Sequence, residues 1–298
     1  MTIAAPRGAF EELSARCRSR LEEALRAGLP SVPAGAEALG RALSEAVLSP
    51  GKRVRPLAAI AAGRIARAPE DASMTVAVAV EYVHAASLVL DDLPSMDDAR
   101  RRRGRPALHV SHGVAVAELA AVALLARAFE LIAGSPKIPV AVRARLAEEF
   151  ARAVGAEGSC AGQAADLAAD APRLGLEGLE AIHARKTGAL FVAAVRGGAL
   201  AGGAGERTLE SLTLYARNLG LAFQITDDLL DLEGDPERLG KDTGRDAHRA
   251  NFAKLLGAPA SRALVAELVE SAIAALSPLR ARAAALEDLA RVVRDRRT

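Results

Sequence analysis

The chain has 298 residues, 51% of them hydrophobic and 26% charged, with a formal net charge of +2. That length buries a substantial core and accommodates one large domain or two ordinary ones, and the near-neutral balance argues against a nucleic-acid partner despite a pI of about 8.7. The only two cysteines, Cys17 and Cys160, stand in no zinc-ligand spacing, which excludes a disulfide framework and favours a reducing, cytoplasmic compartment.

Met1 to Phe10 carries an arginine but no sustained apolar run, so no secretory signal is expected. Alanine, leucine, valine, glutamate and arginine then recur at helical spacing to the end of the chain, with no convincing strand, and the fold class is all-α. The first helix runs from Pro6 to about Gly28, with Phe10, Leu13, Cys17, Leu21 and Leu25 on one side. After a Pro/Gly-rich connection, a second helix spans about Ala36 to Leu48 and stops at Ser49-Pro50-Gly51. Lys52, Arg53 and Arg55 follow at the mouth of the next helix, where Pro56 fits the first turn. Three cations at a helix start suit an anion such as a diphosphate, although a solvated basic surface has the same composition.

The helix from about Asp71 to Leu93 is apolar, and His84 and Asp91, two turns apart, share a face. Asp91, Asp92, Asp97 and Asp98 close it with four carboxylates in eight residues, followed by Arg100 to Arg103 and Arg105. Isolated ionised carboxylates at the end of a buried helix are strongly disfavoured, so cations must neutralise them. The apolar stretch from Gly113 to Leu131 is interrupted by Glu118 and Arg127, and reads as a buried helix rather than a membrane span. Gln163 and Asp166 lie one turn apart, and Lys186-Thr187 sits in a later helix. The helix starting near Leu209 ends in Asp227, Asp228 and Asp231, the first and last on one face. A polar glycine-rich loop with Lys241 follows, and the helices from about Pro259 to Arg296 read as structural. The C-terminal residues carry no prenylation signal, and no repeat or linker divides residues 1–298, which read as one domain. Two acidic clusters on separate helices with oxygen-only donors suit Mg²⁺ bridging protein to phosphate.

The two clusters resemble the aspartate-rich motifs of the trans-isoprenyl diphosphate synthases, most like the bacterial geranylgeranyl diphosphate synthases of carotenoid pathways. Other motifs of that family match here: Gly51-Lys52-x-x-Arg55-Pro56, His84, Arg102-Arg103-Gly104-x-Pro106, Gly162-Gln163-x-x-Asp166-Leu167, Lys186-Thr187, Gln224 and Lys241. The resemblance implies an isoprenoid synthase fold, a bundle of antiparallel helices around a deep apolar cavity. It implies catalysis by Asp91, Asp92, Asp97, Asp227, Asp228, Lys186 and Lys241, with Mg²⁺ on Asp91, Asp92, Asp97, Asp227 and Asp231. Isopentenyl diphosphate is expected on Lys52, Arg55, His84 and Arg103, and an allylic diphosphate on Arg102, Lys186, Thr187, Gln224 and Lys241. A homodimer is also expected. The sequence departs from the family at Val122, where an aspartate is common, and at Arg249, where a lysine is.

In relatives that make a fifteen-carbon product, the fifth residue before the first aspartate tends to be aromatic. Here it is Ala86, followed by Ser87, so an open pocket and a twenty-carbon product, geranylgeranyl diphosphate, are expected, with Leu124 or Phe129 as candidate floor. The alternatives are a farnesyl diphosphate synthase, a class I terpene cyclase, against which the intact second aspartate motif counts, and a non-catalytic synthase subunit.

Overall fold

A computed structural model describes residues 8–169, 174–233 and 251–296. Among these the chain is all-α apart from one ribbon. The helices are α1 (Ala9–Ala27), α2 (Glu37–Leu48), α3 (Val54–Ile65), α4 (Glu70–Asp91), α5 (Leu108–His112), α6 (Val114–Gly134), α7 (Val140–Val154) and α8 (Ser159–Ala168). Next come α9 (Leu176–His183), a π-helical turn at Ala184–Gly188, α10 (Ala189–Ala201) and α11 (Glu206–Glu233). The chain closes with α12 (Phe252–Leu256), α13 (Ala258–Ala275), a 3₁₀ segment at Ser277–Ala283 and α14 (Ala284–Arg294). The expected inner face of α1 is the one that is buried: Phe10, Leu13, Cys17, Leu21 and Leu25.

The interior is built from α3, α4 and α10, which pack on one another, with α6 covering α4 and α11 lying along α10. Helices apolar on nearly every side must be buried on nearly every side, and α3 is buried from Pro56 through Gly63. Among the described residues α4 is the one helix long and apolar enough to cross a membrane, and most of it is packed inside the protein. The α3–α10 crossing is close because Gly198 has no side chain. A Cβ there would stand 2.0 Å from the Ala59 carbonyl oxygen, a backbone atom that cannot rotate away. Gly198→Ala should therefore cost about 1–3 kcal/mol in thermal or denaturant unfolding; an unchanged midpoint would mean the crossing gives way freely.

Three boundaries differ from expectation in ways that matter for the site. Helix α4 stops at Asp91 instead of Leu93, with Asp92 as its cap, because Pro94 disfavours helical backbone in the residue before it. Asp97 then folds back, its amide donating to the Asp91 carbonyl over 2.9 Å. The arginine run, expected without strands, forms a two-stranded antiparallel ribbon that pairs Arg101 with Pro106 and Arg102 with Arg105. Its turn places Arg103 at φ 52° and Gly104 at φ 77°, and both Arg102 and Arg103 line the cavity described below. Helix α11 begins at Glu206, three residues before the expected Leu209.

Candidate active site

A cavity of about 1020 Å³ opens between the loop before α3, the C-terminal end of α4, α8, the π-helical turn and α11. Of the residues singled out in the sequence, Lys52, Arg55, His84, Asp91, Arg102, Arg103, Gln163, Lys186, Thr187, Gln224, Asp227 and Asp231 line it. Asp227 and Asp231 face it together while Asp228 does not, as a one-turn separation dictates. Lys241 and Arg249 lie outside the described residues.

Asp91 stands at the cavity wall, and burial, with Asp97 nearby, pushes its carboxyl up to about 6 against the pull of Lys186. Asp92, one residue and roughly 100° further on, turns away from the cavity and is 3% exposed. Both its oxygens are engaged by Arg102, Nε donating at 2.8 Å and Nη2 at 2.6 Å. Burial raises the Asp92 carboxyl, and the arginine fork opposes that rise. In this structure the oxygens of Asp92, expected to be a metal ligand, orient Arg102.

Asp228, expected to be catalytic, is also turned inward. Its Oδ2 accepts from the Phe252 amide at 2.8 Å and its Oδ1 from Gln224 Nε2 at 2.9 Å. Thr187 Oγ1 in turn donates to Gln224 Oε1 at 2.8 Å. Asp228 thus fixes which way round the Gln224 amide sits and ties α11 to α12, while burial pushes its carboxyl up to about 6.

The basic side of the cavity comes from three elements, the loop into α3, the arginine ribbon and the π-helical turn. Lys52 and Arg55 flank the start of α3, and burial, with repulsion from Arg296, lowers the Lys52 ammonium. Arg55 is pushed down to about 10 by burial, with Glu81 and Asp227 opposing. Its Nη1 lies 3.5 Å from His84 Nε2, and its guanidinium stands 4.4 Å over the Phe191 ring. Burial first, then Arg55 and its neighbours, holds His84 well below the usual histidine range. An arginine can only donate, so a neutral His84 accepts there and keeps its other nitrogen free to donate.

Lys186 belongs to the π-helical turn, a widening that the sequence reading did not anticipate and that re-aims side chains within a helix. Its Nζ donates to Asp166 Oδ2 at 2.6 Å. Asp166 thereby restrains Lys186. Gly162 makes room for this turn: a Cβ there would meet the Lys186 backbone nitrogen at 2.2 Å.

The sequence reading also missed Arg296. It lies beyond α14, yet its Nη1 is 2.9 Å from Asp227 Oδ1 and its guanidinium stands 4.6 Å over the Phe223 ring. No motif marks it, because an arginine in a charged C-terminal run reads as solvated surface.

The apolar half of the cavity is walled by Val83, Leu125, Val154, Leu167 and Leu190, among others. Ala86 is fully buried in the core and does not reach it; Ser87 does. Leu124 points into the core, and its neighbour Leu125 lines the cavity instead. Val122 is 62% exposed on the outer face of α6, so the family aspartate missing at this position had no place in the cavity.

Residues 36–270 match the polyprenyl synthetase family. The chain belongs to that family. Among its relatives this polyprenyl synthetase is similar to a farnesyl diphosphate synthase of Haemophilus influenzae, 37% identical over 276 residues that cover 91% of this chain and 94% of the relative. It is also similar to geranylgeranyl pyrophosphate synthase 9, chloroplastic, of Arabidopsis thaliana, 43% identical over 76% of this chain and 65% of the relative. A geranyltransferase from Helicobacter pylori, solved with magnesium and isoprenyl diphosphate, superposes with a TM-score of 0.84 at 28% identity and covers 98% of both chains. The all-α fold is the one these neighbours share.

The donor set fits magnesium. Asp91 on α4 and Asp227 and Asp231 on α11 offer only carboxylate oxygens to the cavity, the ligands a hard cation takes. Gln163 turns both amide atoms toward the interior without a hydrogen-bond partner, as a water shell or phosphate oxygens would require. Among the described residues no three His, Cys, Asp or Glu side chains close a site by themselves.

Proposed function

We propose that the protein is a magnesium-dependent trans-prenyltransferase condensing an allylic diphosphate with isopentenyl diphosphate, head to tail. The observation that carries this reading is one cavity with carboxylates from two helices at its rim, cations from three elements beside them, and an apolar lower half. Asp91, Asp97, Asp227 and Asp231 would hold magnesium, which would supply positive charge to the departing diphosphate. Arg102, Lys186 and Lys241 bind the same diphosphate, while Thr187 and Gln224 orient it. Lys52, Arg55, His84 and Arg103 hold isopentenyl diphosphate with its double bond facing the allylic carbon. The allylic C–O bond breaks, a C–C bond forms to the isopentenyl alkene, and the new cation loses a proton to the departed diphosphate. The apolar walls keep water from the cation.

The product we propose is the twenty-carbon geranylgeranyl diphosphate, a reading supported by Val83 and Ser87, rather than an aromatic ring, on the α4 wall of the cavity. A farnesyl product is the second reading, favoured by the Haemophilus relative. A test of the reaction class is release of inorganic diphosphate from farnesyl or geranyl diphosphate with magnesium, with and without isopentenyl diphosphate. Release that depends on isopentenyl diphosphate supports prenyl transfer. Release without it favours a cyclase, and none with any primer favours the non-catalytic subunit.

The protein acts as one domain over residues 1–298, in the cytoplasm, where its two free cysteines stay reduced. It pairs as a homodimer through α6, whose outer face carries Ala115, Leu119, Val122 and Ala126, an exposed apolar row at spacings of four, three and four. Sedimentation should give twice the chain mass, and Leu119→Glu should shift it toward one; a monomer in both would refute the pairing.

A metal at Asp227 has to displace Arg296. Losing a partly buried ion pair of about 1 kcal/mol corresponds to a factor of about five in affinity. Arg296→Gln should accordingly lower the magnesium concentration for half-maximal activity about fivefold, and an unchanged or raised requirement would show that the arginine assists the metal.

A further inference from the structure

The loop that carries Lys52 is held by Arg53 and by Arg18 of α1, neither of which has an expected substrate role, and by Arg103. Arg53, expected to be one of three cations offered to an anion, is instead 4% exposed and adopts φ 53°, a left-handed conformation that costs energy in a residue other than glycine and needs support. Its guanidinium donates to Glu22 Oε1 at 2.9 Å, Glu81 Oε1 at 2.5 Å, the Val47 carbonyl at 2.9 Å and the Ser49 carbonyl at 3.0 Å. Glu22 lies on α1, before the residues that match the family. The same helix supplies Arg18, whose Nη2 donates to the Gly51 carbonyl at 2.6 Å. From the other side Arg103 Nη1 donates to the Pro50 carbonyl at 3.1 Å. Carbonyl and side-chain anchors thus fix the backbone on both sides of Lys52.

We propose that Arg53, clamped between Glu22 of α1 and Glu81 of α4, is the positioning residue of the isopentenyl diphosphate subsite. It holds the strained backbone that aims Lys52 and Arg55 into the cavity together. The proposal rests on the reading that this subsite binds isopentenyl diphosphate. Arg53 does not touch the substrate, since its charge is already matched by two carboxylates and its guanidinium is turned inward onto them. Glu81 also acts on the cavity itself. Its Oε2 is buried without a hydrogen-bond partner, and its carboxylate interacts electrostatically with Arg55 and Arg103, which line the cavity with it. The geometry also gives the N-terminal helix a function. It braces a substrate loop rather than merely covering the core.

The test uses the full chain and the variants Glu22→Gln, Arg53→Lys and Arg53→Lys combined with Glu22→Gln. Measured are kcat, the KM of each substrate, the unfolding midpoint, and calorimetric affinity for isopentenyl diphosphate without turnover. Each single variant should raise the KM and the dissociation constant for isopentenyl diphosphate about tenfold, the scale on which outer partners of a binding group act. The allylic KM should stay within about twofold, and the double variant should match Arg53→Lys alone, because both act on one clamp. An unchanged isopentenyl constant overturns the proposal, as does a parallel change in both substrates that follows the unfolding midpoint. Should the unmodified protein not bind isopentenyl diphosphate at all, the functional reading fails instead. Inorganic diphosphate then reports on the clamp: weaker binding in the variants keeps it, and equal binding overturns it.

Discussion

Replacing Asp91 by asparagine should lower kcat on the order of 10³-fold, the loss typical of removing one preorganised group that stabilises developing charge. The side chain keeps its size, so the α4 terminus and its packing survive, and the effect isolates the carboxylate. Asp91 lines the cavity, whereas its neighbour Asp92 is committed to Arg102. Asp92→Asn should act differently, releasing Arg102 from its fork and raising the allylic KM more than it lowers kcat. Asp228→Asn should unseat Gln224 and the α12 amide, and should show chiefly as lost stability. Steady-state kinetics on the three variants separates these roles. An Asp91→Asn enzyme retaining more than about a tenth of its activity would remove Asp91 from the chemistry.

Ser87→Phe should convert the product from the twenty-carbon to a shorter diphosphate with little change in the rate of the first condensation. Ser87 lies one turn before Asp91 on α4 and shares its cavity face, so a ring there stands directly beneath the diphosphate site, where a growing chain must pass. Its hydroxyl only donates to the His84 carbonyl within the helix, so little is lost with it. Ala86→Phe is the informative contrast. Ala86 is fully buried in the core, and a ring there should overpack α4 and cost about 1–3 kcal/mol instead of resetting length. Chromatography of the dephosphorylated products checks both, and a Ser87→Phe enzyme with an unaltered product would place the limit deeper, at Leu125 or Val154.

Much of the architecture was legible because it rests on short-range periodicity. The buried face of α1 follows from the spacing of Phe10, Leu13, Cys17, Leu21 and Leu25, and the pairing of Asp227 with Asp231 on one face follows from 3.6 residues per turn. What stayed illegible is orientation at the scale of a single residue. Asp91 and Asp92, or Ala86 and Ser87, differ by about 100° of helix rotation, and a motif names them without saying which faces inward. The π-helical turn at Lys186 shifts the phase of a helix by one residue, which no apolar pattern records. Arg296 reaches Asp227 from the far end of the chain, and Arg53 is tied to Glu22 by tertiary contact alone. Such contacts depend on the packing of whole helices, not on neighbouring residues.

The measurement that bears most directly on the account is the mass of the product formed from isopentenyl diphosphate and magnesium with the five-, ten- and fifteen-carbon allylic primers in turn. All three should be extended, and the twenty-carbon diphosphate should accumulate. A fifteen-carbon end product would contradict the open cavity wall at Ser87 while leaving prenyl transfer intact, and no extension of any primer would contradict prenyl transfer itself.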